Sequence, residues 1–263
     1  MIAASWPIPF NPVQLVRGLL RYVLFCGCLC GFLFHHGIVR LLIRDEDRRL
    51  TYFLWSIKHT CRLSLRILGI EVELELPALD RRRSGLLLIA NHMSYVDVLV
   101  LFSHYPALFI TSVEMREVPV LGLVAELAGC FFVERRRELR SETTRAAELA
   151  RMNEKLAAGF DVFLFPEGTS SSGDTVLPFK STFFQTAIDC QTSLVPICLR
   201  YEQGREVIPW YGAMTFPDHL FRLCLSSPLR ARVTQLEAVA PKLSRPELRD
   251  LCYNRIKEQY ETA

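Results

Sequence analysis

A histidine and an aspartate that follow directly on a short apolar run constrain the fold most. Residues 86–90 are all apolar, and Asn91 to Asp97 come next, with His92 and Asp97 five positions apart. Side chains at i and i+5 of a regular helix point about 140° apart. The pair can therefore meet only where His92 lies in a turn and Asp97 in the first turn of a helix, which Ser94 could cap. In that geometry the carboxylate fixes one imidazole nitrogen and leaves the other basic, as proton transfer requires.

Two further apolar runs also end in polar residues. The run at 160–165 stops at Pro166 and opens into Glu167, two glycines and a series of hydroxyls, and the run at 129–133 ends in Glu134 and Arg135. Polar loops at strand ends are where α/β proteins place their ligands. A plain surface turn has a similar composition, so this pattern alone leaves both interpretations open.

Taken together, these segments resemble the glycerolipid acyltransferase family, of the 1-acylglycerol-3-phosphate acyltransferase type. The resemblance covers roughly residues 85–200. It consists of N-H-x4-D at 91–97, a glycine with apolar residues, an acid and an arginine at 129–135, F-P-E-G-T at 165–169, and a Val-Pro pair at 195–196. Because all four motifs occur in the order that the family shows, the chain is identified as a member of it.

The resemblance implies direct transfer of a fatty acyl group from a thioester to a lipid hydroxyl. His92 would be the general base, and Asp97 would orient the imidazole and stabilise its cation. A thiolate leaves readily, and the sequence has no G-x-S-x-G elbow, so no covalent nucleophile is expected. Backbone amides around Glu167 and Gly168 are the expected oxyanion donors. We expect no cofactor beyond the acyl donor substrate, an acyl-carrier-protein or CoA thioester.

The resemblance is less specific about which lysolipid accepts the acyl group. The resemblance assigns headgroup binding to Arg135, Glu167, Gly168, Thr169 and Lys180. Members that acylate glycerol phosphates usually carry arginine directly after the third motif, whereas this chain has Ser170, which cannot replace the bidentate cation. The stretches at 169–181 and 210–216 are similar to the lyso-ornithine lipid branch. We therefore expect a lyso-ornithine lipid acceptor, with lysophosphatidic acid as the alternative because Arg135 and Lys180 remain.

The N-terminal region predicts membrane association. Residues 22–39 form 18 consecutive positions without Asp, Glu, Lys or Arg, close to the about 20 that a crossing needs. A crossing, a shallow helix and half of a re-entrant pair with 38–43 are all compatible with this pattern. Arginines that suit anionic headgroups flank it, namely Arg17, Arg21, Arg40, Arg44, Arg48 and Arg49. We expect residues 1–45 to anchor a catalytic domain at 46–263 that faces the cytoplasm, at the inner membrane if bacterial.

Alternating helical and strand patterns predict an α/β fold, a mixed β-sheet covered by helices, behind an N-terminal membrane-associated helical segment. Strict alternation at 70–76 indicates an edge strand. Helices are predicted over 45–68, 119–128, 141–158, 182–188 and 241–260. Phe131, Phe132, Phe183 and Phe184 could line an acyl tunnel or fill the core.

Several function classes are excluded or kept as alternatives. Nine cysteines without C-x2-C spacing indicate a reducing compartment, and the histidines lack metal-ligand spacing, so no metal is expected. The basic residues form no nucleic-acid-binding motif. A non-catalytic lipid-binding protein and a thioesterase, in which water replaces the acceptor, remain alternatives to the acyltransferase.

Overall fold

A computed structural model describes residues 11–75, 85–118, 120–134, 142–226 and 228–262. Its helices are α1 (Pro12–Leu42), α2 (Glu46–Leu68), α3 (Tyr95–Phe102), α4 (Leu121–Leu127), α5 (Glu142–Ala157), α6 (Phe184–Asp189), α7 (Phe216–Leu225) and α8 (Arg245–Thr262). Its strands are β1 (Ile70–Glu75), β2 (Leu87–Ala90), β3 (Leu108–Ser112), β4 (Phe131–Val133), β5 (Val162–Leu164), β6 (Leu194–Gln203) and β7 (Leu229–Gln235). The predicted α/β fold is confirmed.

The strands form one sheet in the order β1-β7-β6-β2-β5-β3-β4. Only β6 and β7 pair antiparallel among the described strands, so the sheet is mixed, as predicted. Every residue of β2 and β5 is buried, because helices cover both faces. Strands in that position become near-continuous apolar runs, which explains why both were recognisable in the sequence.

The predicted edge strand is β1, which pairs with β7 alone among the described strands. Its outward glutamates meet arginines of β7: Arg230 lies 3.2 Å from Glu71, and Arg232 lies 3.3 Å from Glu73 and 3.0 Å from Glu75. Opposite charges on neighbouring strands stabilise the pairing modestly.

Two layers of helices cover the sheet. α1, α2, α3 and α7 contact one another in one layer, and α5, α6 and α8 form the other. Asp45 caps α2, and Gly69 ends it in the left-handed conformation at φ 72°, as predicted for this helix. The predicted C-terminal helix begins four residues later than expected, at Arg245, and buries Leu248, Cys252, Ile256 and Tyr260.

α1 is one continuous helix of 31 residues, so the chain does not turn back between positions 22 and 42. Four of its five buried residues, Gly18, Phe25, Phe32 and Val39, recur every seven positions, on the side where α1 contacts α7 and α2. In the part of the chain described, α1 is the one helix long and apolar enough to cross a membrane, by length and composition.

Some expectations fall outside the described residues, and burial decides between the two alternatives for the phenylalanines. Ser141, where the helix predicted over 141–158 was expected to begin, and Arg135 of the second motif lie outside them. The exposed fractions of Phe131, Phe132 and Phe184 are only 1%, 6% and 1%, and none of the three lines the cavity, so they fill the core. Phe131 lies under Arg151 of α5 and Phe132 lies under Arg116, on opposite faces of β4, and the side chain of Phe183 is not described.

Candidate active site

The site begins where β2 ends. Asn91 is buried, its amide nitrogen donates to the carbonyl of Leu199, and its amide oxygen accepts from the Leu199 N–H, both at 2.8 Å. These two hydrogen bonds between the Asn91 side chain and the Leu199 backbone fix the end of β2 to β6. The chain therefore turns at a defined point, and His92 is the first residue beyond it.

His92 and Asp97 meet as the sequence predicted. His92 lies in the turn, Asp97 lies in the first turn of α3, and Nδ1 of the imidazole is 2.9 Å from Oδ2 of the carboxylate. Ser94 caps the helix and forms a capping box with Asp97. The same Oδ2 also accepts from the backbone N–H groups of Met93 and Ser94, at 2.6 and 2.8 Å. The carboxylate is fully buried and held rigidly against the imidazole.

Tyr201 completes the coordination of this carboxylate. Its hydroxyl donates to Oδ1 of Asp97 at 2.7 Å, from the far end of β6. Burial, together with the neighbouring Asp97, raises the pKa of the Tyr201 phenol well above its usual value, so the hydroxyl remains a donor. Sequence reasoning missed Tyr201, which lies 104 residues away from Asp97 and carries no motif.

The imidazole is positioned by stacking as well as by hydrogen bonding. The ring of Phe165 lies parallel to the ring of His92 at an interplanar angle of 7°, with 3.9 Å between centroids. The His92 side chain keeps 19% exposure and lines a cavity. With Nδ1 engaged by Asp97, Nε2 is the nitrogen that remains for a substrate.

Glu167 faces inward and holds the catalytic turn. Its carboxyl oxygens accept from the backbone N–H groups of His92 and Leu177, at 2.9 and 3.3 Å. Burial is the main cause that raises the pKa of Glu167 to about 8. The Gly168 N–H donates to the carbonyl of Phe165 at 3.0 Å, which closes a tight turn. The Gly168 amide is therefore occupied, and oxyanion binding by amides around Glu167 and Gly168 stays a prediction.

Three of the other residues predicted to bind the headgroup are described, and they lie beside the cavity. Gly168 and Thr169 line it, and Thr169 is exposed. Lys180 is exposed and packs over Gly168, where an added Cβ would come 2.7 Å from its Nζ. Arg135 lies outside the described residues. Headgroup binding by these residues stays a prediction.

A second loop closes the site from the side of α7. The Ser170 hydroxyl donates to the Trp210 carbonyl, and the Trp210 N–H donates to the Met93 carbonyl at 2.9 Å. The Tyr95 hydroxyl lies 3.0 Å from Nδ1 of His219 on α7. Ser170, the position where an arginine was expected in phosphate-accepting relatives, is thus tied to the 210–216 segment.

The cavity beside His92 has a volume of about 340 Å³ and mainly apolar walls. It extends from His92 to Cys130 at the start of β4, past Phe109 of β3. Because β5 and β3 lie between β2 and β4, this is about three strand spacings, or ~14 Å. Phe32 of α1 and Phe53 of α2 also line it, so the N-terminal helices form one wall.

Among the described residues no group of three His, Cys, Asp or Glu side chains could hold a metal ion. All nine cysteines are free, and burial raises the pKa of Cys61, Cys130, Cys198, Cys224 and Cys252.

Comparisons with known proteins agree with this geometry. The family model described as Acyltransferase matches residues 71–200. A 1-acyl-sn-glycerol-3-phosphate acyltransferase of Neisseria meningitidis serogroup B is 35% identical over 64% of this chain, and the match spans 66% of that protein. A lyso-ornithine lipid O-acyltransferase of Rhizobium meliloti is 32% identical over 70% of this chain and 67% of that protein.

Among solved structures, the 1-acyl-sn-glycerophosphate (LPA) acyltransferase PlsC of Thermotoga maritima has the same fold. The TM-score is 0.70 at 24% identity, with 94% of this chain and 96% of that chain covered. The four motifs, the family match and the two-thirds coverage of the Rhizobium relative agree: the chain belongs to the acyltransferase family.

Proposed function

We propose that this chain is a lysolipid O-acyltransferase of membrane lipid biosynthesis. The observation that carries the proposal is the His92–Asp97 pair at one end of an apolar cavity of about 340 Å³. Apolar walls with a few convergent polar groups suit a hydrocarbon chain whose reactive end must be oriented. The acyl donor is an acyl-carrier-protein or CoA thioester, with its chain in the cavity and its carbonyl beside His92.

The reaction proceeds in one acyl transfer. Nε2 of His92 takes the proton of the acceptor hydroxyl while its oxygen attacks the thioester carbonyl. The carbon–sulfur bond then breaks, and the departing thiolate takes the proton from the imidazolium. Asp97 stabilises that imidazolium, and Phe165 keeps the ring in the orientation that presents Nε2 to the cavity.

The developing oxyanion needs donors other than the Gly168 amide. The backbone N–H groups of Thr169 and Ser170 lie on segments that line the cavity, and within the described ranges neither donates to a backbone carbonyl. We assign the oxyanion to these two amides. Donors fixed in a loop before the reaction cost no reorganisation during it, which is the basis of oxyanion stabilisation.

The proposed acceptor is a lyso-ornithine lipid. Ser170 occupies the position after the third motif and bonds to Trp210, which leaves no guanidinium there for a phosphate. The Rhizobium relative, named for that activity, aligns over 70% of this chain. Lysophosphatidic acid is the second candidate, because the Neisseria relative is 35% identical and Lys180 places an exposed amine beside Gly168.

The central test uses membranes that contain the wild-type chain or His92→Ala. A labelled acyl-carrier-protein thioester is supplied with lyso-ornithine lipid or with lysophosphatidic acid. We expect label in ornithine lipid that depends on His92. Label in phosphatidic acid alone would reverse the acceptor assignment. Free fatty acid without acceptor would indicate a thioesterase, and no His92-dependent product from either acceptor would leave the lipid-binding alternative.

A substitution at Ser170 tests the acceptor assignment within one protein. Ser170→Arg restores the cation that phosphate acceptors need, and we expect it to raise the use of lysophosphatidic acid relative to lyso-ornithine lipid. Ser170→Ala is the matched control, because it also removes the bond to Trp210 but adds no charge. If both variants change the ratio equally, the effect comes from the loop and not from phosphate binding.

We also propose that the chain is monotopic, with α1 lying along the membrane surface and the catalytic residues on the cytoplasmic side. Gly18 packs on α7 and Phe32 packs on Phe53 of α2, so α1 rests on the domain over most of its length. Its other face exposes large apolar side chains, among them Val16 at 66% and Leu41 at 80%. If α1 crossed the bilayer, the charged helix α2 that packs against it would also have to enter the hydrocarbon region, which costs free energy.

Tags at the two termini test this arrangement. In inside-out vesicles, protease should remove both an N-terminal and a C-terminal tag if the chain is monotopic. Protection of the N-terminal tag alone, with its removal in right-side-out vesicles, would show a crossing. An acyltransferase assay on the same vesicles reports that the protein has remained folded.

A further inference from the structure

A second cavity lies between the C-terminal half of α1, the start of α2 and α4. It has a volume of about 330 Å³, and it shares no lining residue with the cavity at His92. Its walls are largely polar, and its charged or titratable residues are His36, Arg40, Glu46, Arg49, Glu126 and Arg151. The acyl-transfer mechanism uses none of them.

The two acids in its wall are already paired. Glu46 lies 3.4 Å from Arg151, which also donates to the Gly129 carbonyl. Glu126 lies 3.8 Å from Arg116 at the surface. Neither carboxylate therefore neutralises the two arginines that remain in the wall.

Those arginines are Arg40 and Arg49. Arg40 stands in the last turn of α1 and is exposed, with no carboxylate within ion-pair distance in the described part of the chain. Arg49 is partly buried, and the hydrogen bond described for its guanidinium is a long one, 3.4 Å to the Ile43 carbonyl. Guanidinium groups match phosphate oxygens in geometry and charge.

His36 supplies the independent sign of a ligand. It is 3% exposed, and its Nε2 has no hydrogen-bond partner among the described residues although it lies in this polar wall. Buried polar atoms almost always have a partner, so an orphan next to an open polar space indicates a group that binds there. The ring is held by Phe32 and Phe53, at centroid distances of 4.4 and 4.9 Å.

We propose that this pocket, which we call the α1–α2 pocket, binds the phosphate of a membrane lipid headgroup. Arg40 and Arg49 bind the phosphate oxygens, and the buried Nε2 of His36 donates a hydrogen bond to one of these oxygens. Leu41 and Leu42, at 80% and 76% exposure, continue α1 beside Arg40 as apolar surface. A phosphate bound there has its acyl chains on that surface, which favours a lipid over a free anion.

The test measures binding to purified full-length protein in a neutral detergent. The probes are dihexanoyl phosphatidylglycerol, dihexanoyl phosphatidylcholine as the lipid without net charge, and inorganic phosphate. The pocket variant is Arg40→Gln with Arg49→Gln. The matched control is Arg44→Gln with Arg48→Gln, which removes the same charge from the same segment outside the pocket wall. His36→Phe keeps a ring against Phe32 and removes the donor.

We expect phosphatidylglycerol to bind the wild type and the control pair equally and the pocket variant at least about tenfold more weakly, with a smaller loss for His36→Phe. The single variant Arg40→Gln serves if the double variant does not fold. If inorganic phosphate binds the wild type and the pocket variant weakens that binding to the same extent, the phosphate site is confirmed and free phosphate is its ligand. Equal losses in both pairs, or no binding by the wild type, would overturn the proposal.

The pocket and the acyl-transfer site are separable in this experiment. His92→Ala should bind phosphatidylglycerol as the wild type does, because His92 does not line the α1–α2 pocket. Loss of binding in His92→Ala would show that the lipid had occupied the active site, and would refute a separate pocket.

Discussion

The sharpest prediction concerns Asp97→Asn. This change removes one buried negative charge and alters the shape very little. An asparagine oxygen can still accept from Nδ1 of His92 and from the Met93 and Ser94 N–H groups, while its amide nitrogen faces the oxygen of Tyr201, a hydroxyl that can also accept. The fold should therefore survive, and the charge beside the imidazole is what disappears.

The size of the effect follows from the geometry. The carboxylate oxygen lies 2.9 Å from Nδ1 of His92, so at an effective dielectric of about 20 a full imidazolium gains ~6 kcal/mol from it. The imidazole carries only part of that charge in the transition state, and about half of the gain is a reasonable lower limit. We therefore expect kcat to fall on the order of 10²- to 10⁴-fold.

The assay is acyl transfer at saturating thioester and acceptor, with His92→Ala as the floor. Tyr201→Phe is the matched control: it removes one hydrogen bond to Asp97 but keeps the charge, and it should lower kcat by no more than about tenfold. A folded Asp97→Asn protein with more than a tenth of the wild-type kcat would refute stabilisation of an imidazolium by Asp97.

Three further predictions test the surroundings of the site. Burial raises the pKa of Glu167 from 4.5 to about 8, so between these pH values the folded protein keeps a proton that the unfolded chain has released. The melting temperature of the wild type should therefore fall relative to that of Glu167→Gln as the pH rises from 4.5 to 8. Ala125→Phe adds volume to the cavity wall, so kcat/KM should shift from palmitoyl towards octanoyl thioesters. Gly18→Leu should destabilise the protein by about 1–3 kcal/mol in thermal melts, since an added Cβ would collide with the Leu225 side chain, whereas Gly27→Leu, with open space around it, should not.

The parts that the sequence predicted are local ones. His92 and Asp97 are five positions apart and can meet only where His92 lies in a turn and Asp97 in the first turn of a helix, so the local sequence was enough to predict the contact between them. The buried central strands were visible because both of their faces are apolar. Gly69 ended α2 as expected because its left-handed conformation disfavours other residues.

The parts that it did not predict depend on contacts between distant segments. Tyr201 reaches Asp97 only because β6 lies beside β2, and nothing near Tyr201 in the chain indicates this. Glu167 was expected to face a headgroup, but the turn after β5 directs its carboxyl to the His92 N–H. β7 was not predicted, although buried and partly exposed side chains alternate over residues 229–235. Its arginines pair with the glutamates of β1, a contact that the sequence near β7 does not indicate.

The dual role of α1 links these observations. One face of the helix, with Phe25 and Phe32, closes the apolar cavity, while the opposite face exposes side chains such as Val16 and Leu41. A chain cut at the proposed boundary after residue 45 would therefore lose a wall of the cavity as well as the proposed anchor. In the proposed monotopic arrangement, one face of α1 contacts the bilayer and the opposite face lines the cavity, so the depth of α1 in the bilayer also sets the depth at which an acyl chain meets His92.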